Sequence, residues 1–149
     1  MNGPVIRGAL AVALLCAGAA PMLARESQPA TPSASTVVTQ LKSATTTDIG
    51  QPVTLPQGNV TVIASTYEIP AGATLPVHKH PSARYAFVLA GNLSVTNHET
   101  DETSNYQAGD FVIEMIDTWH SGTNTGTETV RLLVIDQLPD GGVSTVMKE

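Results

Sequence analysis

The side chains best suited to chemistry in this sequence are three histidines in two short stretches. His78 and His80 stand two apart within the stretch Gly72–Gly91, and His120 lies near the end of Gly109–Asn124, in the run Trp-His-Ser-Gly-Thr-Asn. On extended backbone, residues two apart project from one face, so His78 and His80 present their imidazoles side by side. Neutral imidazoles suit transition metals, and three of them leave coordination positions open for water, a small molecule or dioxygen. The chain has only four histidines. The fourth, His98, falls on a polar tip among acidic residues and reads as a solvated surface group.

The two stretches together resemble the paired motifs of the cupin family. Its first motif runs G, five residues, H-x-H, three or four residues, E, six residues, G; Gly72, His78, His80 and Gly91 fall in place, while Arg84 stands in the glutamate slot. Its second runs G, five residues, P-x-G, two residues, H, three residues, N; Gly109, His120 and Asn124 match, with Met115 and Asp117 where Pro and Gly are expected. The resemblance covers roughly residues 58–137. It implies a jelly-roll barrel with His78, His80 and His120 facing its mouth around one divalent transition metal: Fe, Mn, Ni, Cu or Zn.

Arg84 is the departure with chemical consequences. A guanidinium is never deprotonated and cannot ligate a metal. Aimed at a dication from about 6 Å, it would be repelled by roughly 5 kcal/mol at an effective dielectric of about 20. Two arrangements offset that cost. Either a carboxylate such as Glu114 or Asp117 pairs with Arg84, or a bound anion lies between Arg84 and the metal and is gripped bidentately. The second makes Arg84 a substrate anchor, as in the thiol dioxygenases that the three-histidine pattern resembles.

These residues need a β-framework, and the rest of the chain supplies one. Val60–Ser65 alternates with period two, bounded by Pro70-Ala71-Gly72; Tyr85–Leu89, Leu93–Thr96, Ser104–Tyr106, Phe111–Ile116, His120–Asn124 and Val130–Asp136 follow as short strands. Past residue 50 no helical apolar stripe occurs, and many short strands without helices point to an all-β sandwich or barrel. Tyr85, Phe87 and Leu89 read as one apolar strand face, and Tyr67 and Met115 as core residues by default, with pocket lining as the alternative. Trp119, next to His120, is expected on the opposite face. Asn124 is read as a turn clamp, and Glu68 as an exposed strand-end carboxylate.

Residues 1–24 hold one basic residue, Arg7, then an apolar run from Ala9 to Ala20 and small residues, the pattern of a secretory signal peptide. Its removal takes away Cys16, the single cysteine, so neither a thiol nucleophile nor a disulfide is expected. Residues 25–50 read as a polar spacer and an extended N-terminal arm, and 51–149 as the barrel. A formal net charge of −6 argues against a nucleic-acid partner. No Ser-His-Asp order, phosphate-cradling loop or dinucleotide fingerprint is present. The expectation is a periplasmic or secreted, single-domain, homodimeric cupin without a transmembrane span in its mature chain. It acts on or binds a small anionic, carboxylate-bearing molecule, as a dioxygenase-like oxidoreductase or an isomerase, with a non-enzymatic ligand-binding or sensing role as the alternative.

Overall fold

Alternating inward and outward side chains, cut every eight to twelve residues by a turn, dictate antiparallel strands with one face in a core. The computed structural model describes residues 35–149; the segment read as a signal peptide, 1–24, and most of the spacer lie outside them. Among these described residues nine strands follow in order: β1 (Val60–Ile69), β2 (His78–Lys79), β3 (Arg84–Ala90), β4 (Asn92–Asn97), β5 (Thr103–Gln107), β6 (Phe111–Ile113), β7 (His120–Asn124), β8 (Val130–Pro139) and β9 (Val146–Met147). They form a four-stranded sheet, β1-β8-β3-β6, and a five-stranded sheet, β5-β4-β7-β2-β9. Among the described residues there is no helix. The all-β jelly roll expected from the sequence is the fold observed.

The core is the space between the sheets. Ile69, Ala86, Val88, Leu93, Val112, Val130, Leu132 and Val134 fill it, with Tyr67, Leu75, Val95 and Tyr106 packed around them. One strand face differs from expectation. In β3 the buried side is Arg84, Ala86 and Val88, whereas Tyr85 and Phe87 are half-buried and Leu89 is exposed. Both faces of this strand are apolar enough to read as core, so alternation alone misassigns it. In β1 the inward side is Ser65, Tyr67 and Ile69, which leaves Val62 63% exposed.

Two connecting segments matter for the site. Residues 42–53 lie against β6 and the loop after it: Asp48 N donates to Ile113 O at 3.0 Å, and Lys42 pairs with Asp48. The Gln51 amide donates to Ile116 O at 2.7 Å and accepts from Ile116 N at 2.8 Å, pinning the loop that leads to His120. At the other end, β9 pairs with β2 through His78↔Met147 and Lys79↔Val146.

Gly91 turns the chain between β3 and β4 at φ +81°, where a Cβ would stand 2.9 Å from Val130 Cα. Gly91→Ala is therefore expected to destabilise the protein by about 1–3 kcal/mol from the left-handed backbone alone, and by more from the clash. Urea unfolding of the variant against wild type measures it.

Candidate metal centre

The three histidines meet. His78 and His120 are register partners across β2 and β7. His80 follows β2 and is held there by a bridge to Ile116 and by the Asp117 N–H, which donates to His80 O at 2.7 Å. Asp117 occupies the expected glycine slot with φ +51°, a left-handed conformation that Asp tolerates better than most residues. One ligating nitrogen from each histidine lies within 4.8 Å of the others, and all three residues are buried.

Their tautomers follow from their neighbours. Each Nδ1 faces a backbone carbonyl: His78 to Pro76 O at 2.7 Å, His80 to Ser144 O at 2.8 Å, and His120 to Thr118 O at 2.8 Å. A carbonyl oxygen only accepts, so Nδ1 carries the proton and Nε2 keeps its lone pair. Nε2 of His80 and of His120 are buried and make no hydrogen bond. Such orphaned lone pairs are costly in a folded interior unless a cation takes them up. A divalent metal fits this donor set. The carbonyl bonds are the orienting contacts that metal-ligating histidines ordinarily have.

Burial pushes the His78 imidazole down to about 4. The Pro76 carbonyl opposes this, His120 and His80 add to it, and Glu114 offsets it slightly. His78 is thus a free base at neutral pH, ready to ligate.

Arg84 lies on the same inward face, but its partner is neither Glu114 nor Asp117. Its Nε donates to Asp136 Oδ1 at 2.7 Å and its Nη2 to Asp136 Oδ2 at 3.3 Å, with Thr145 Oγ1 at 3.2 Å from the same Nη2. The two side chains are 5% and 6% exposed. Burial would lower the Arg84 pKa, but the Asp136 hydrogen bond and the charges of Glu114 and Asp136 raise it. Position 136 is the register partner of 84. Asp136 interrupts the inward row Leu132, Val134, Leu138 of β8, and that break in an apolar face was the sequence signal available for it. Asp117 instead meets Lys79 at the surface, at 2.7 Å.

Glu114 is the second residue that the histidine pattern did not disclose. Its Oε2 stands 3.1 Å from His80 Nε2 and 3.6 Å from His120 Nε2. Burial would raise its pKa, and the positive charge of Arg84 opposes that.

A cavity of about 190 Å³ opens in front of these groups. Its walls are mostly apolar; Tyr67 and Met115 are among them, the alternative to core packing that the sequence left open, and Asp48, Ile49 and Tyr106 also contribute. Tyr106 donates to Asp48 Oδ2 at 3.0 Å, joining β5 to the 42–53 segment. The remaining readings hold in outline. His98 is exposed, with Nε2 2.9 Å from Ser121 Oγ, and is not part of the cluster. Trp119 is half-buried outside the cavity lining, with Lys79 Nζ 4.9 Å from its ring centroid. Asn124 clamps a turn by donating to Ile69 O and Glu128 O. Glu68 is exposed near Arg131.

A family model described as the cupin domain matches residues 65–136. Among solved structures, a variant of Bacillus subtilis oxalate decarboxylase is similar with TM-score 0.50 and 26% identity, over 58% of this chain and 24% of that one. The chain thus spans about a quarter of the decarboxylase's length. An uncharacterised Klebsiella pneumoniae protein with a double-stranded β-helix domain gives TM-score 0.50 at 17% identity, over 65% of this chain and 90% of that one. No curated protein matches the sequence.

Two outcomes follow from the electrostatics. Arg84→Ala leaves Asp136 buried without a partner and is expected to cost about 3–5 kcal/mol. Arg84→Glu, which would restore the family's motif, is expected to be worse, because it crowds a carboxylate between Asp136 and Glu114. Replacing both partners, Arg84→Met with Asp136→Leu, recovers most of the loss, and urea unfolding of the four proteins reads it. For His78, the folded pKa is about 4 against an ordinary 6.5. The unfolded chain therefore takes up a proton first, so stability is complete above pH 6.5 and falls as pH drops toward 4. The loss approaches about 3 kcal/mol. Melts in a chelating buffer across that window show the slope, and His78→Gln flattens it.

Proposed function

The chain belongs to the cupin superfamily, and from that premise we propose that it binds one divalent transition metal through His78, His80 and His120 and acts on a small carboxylate-bearing molecule. The observation that carries this reading is the set of three Nδ1–H donors tied to backbone carbonyls, which turns three Nε2 lone pairs toward one another in a buried cluster.

The preference for an anion comes from charge. Arg84 and Asp136 cancel each other, as do Lys42 and Asp48, and three imidazoles add nothing, so a dication beside Glu114 keeps a net positive charge in a largely apolar cavity. The Nε–Nη2 edge of Arg84 is occupied by Asp136. The metal position, rather than the guanidinium, is then the natural receiver of an anionic oxygen. Likeness to a protein named for oxalate is consistent with a carboxylate. The metal, when bound, would polarise an oxygen of that molecule or activate dioxygen. The protein's own residues hold the three donors and exclude bulk water with the apolar walls, to which Asp48 and Ile49 of the 42–53 segment contribute.

Metal analysis of the purified protein tests the reading. His78→Ala, His80→Ala and His120→Ala are each expected to weaken binding by more than the roughly 10–100-fold typical of losing an outer-shell partner. His98→Ala should leave it unchanged. Retention of metal by the first three variants would remove the proposal.

A further inference from the structure

The sequence puts arginine where the family motif has its glutamate, yet a carboxylate stands at the histidine cluster. We infer that Glu114 is a fourth metal ligand, taking over from across the strand pair the role vacated at position 84. The inference rests on the metal reading proposed above.

Register explains how the exchange is possible. Tyr85 and Ile113 are partners across β3 and β6, and the pairing runs on by one step, with Glu114 N donating to Arg84 O at 2.9 Å. Opposed positions of an antiparallel pair send their side chains to the same face. A carboxylate at either position therefore enters the same interior. At 114 it arrives from the neighbouring strand, beside the vacated slot.

One distance falls within the range of co-ligands and the other stands slightly beyond it. Two donors each about 2.1 Å from one ion, at angles between octahedral and tetrahedral, stand about 3.0–3.4 Å apart. Glu114 Oε2 lies 3.1 Å from His80 Nε2 and 3.6 Å from His120 Nε2. These contacts are not hydrogen bonds: neither nitrogen has a hydrogen-bond partner, and the Nδ1 bonds leave lone pairs on both. A carboxylate oxygen facing two lone pairs is repulsive until a shared cation lies among them. Arg84, already neutralised by Asp136, sits alongside without competing for the position.

Titration of the chelator-treated full chain with Co(II), followed by its visible d–d absorption, tests the assignment. Wild type, Glu114→Gln, Glu114→Asp and His78→Ala are compared, with far-UV circular dichroism confirming that each is folded. Direct ligation predicts at least tenfold weaker binding for Glu114→Gln and a changed spectrum for both Glu114 variants. Glu114→Asp is the discriminating variant, because it keeps the charge and withdraws the oxygen by one methylene. Unchanged affinity and spectrum in both Glu114 variants, with binding lost in His78→Ala, would overturn the inference and leave the three-histidine site standing. Weaker binding with an unchanged spectrum would also overturn it, since Glu114 would then act through charge alone. No Co(II) binding by wild type would overturn the metal reading itself.

Discussion

Everything at this site depends on three hydrogen bonds that a histidine cluster could not do without. An imidazole in water is free to choose its tautomer and its rotation. Here the carbonyls of Pro76, Thr118 and Ser144 each take an Nδ1 proton and decide both. Two of these carbonyls lie two residues before their own histidine, so the local chain path sets them. The third comes from the segment before β9, and only the closed barrel delivers it. The cost of burying the other two nitrogens without partners on His80 and His120 is then carried by core packing elsewhere. Such a fixed, partly unsatisfied donor set is a common mark of a site shaped for a ligand.

The second organising feature is a row of charge across one sheet. Asp136 on β8, Arg84 on β3 and Glu114 just past β6 occupy opposed positions of three adjacent strands, all directed into the barrel. Read alone, Arg84 is an anomaly, a fixed cation where a metal ligand is expected. Read with its neighbours, it is the middle of an alternating acid–base–acid row. Its charge is balanced on one side by a buried ion pair, and on the other it favours the ionised form of Glu114.

Much of this was legible in the chain itself. The spacing of His78, His80 and His120, the absence of a helical stripe and the rhythm of turns sufficed for the barrel and the cluster. What stayed hidden were relations between strands. The pairing of 84 with 136 and with 114 is a matter of register, and register is set by turns and core contacts far from those residues. Glu114 and Asp117 looked equally available to Arg84, yet Asp117 faces Lys79 at the surface. The face of β3 was misread because Tyr85, Phe87 and Leu89 are as apolar as Ala86 and Val88. Asp136 could have been noticed as the charged interruption of an inward apolar row.

The segment between β8 and β9 has a consequence for how the protein matures. Ser144 holds the His80 tautomer, Thr145 braces Arg84, and Val146–Met147 pair with the strand bearing His78. A nascent chain that has completed β1 through β8 already possesses all three imidazoles and both carboxylates, but not the contacts that orient His80. The orientation of His80 therefore belongs to the closed fold, after residues 144–147 have docked.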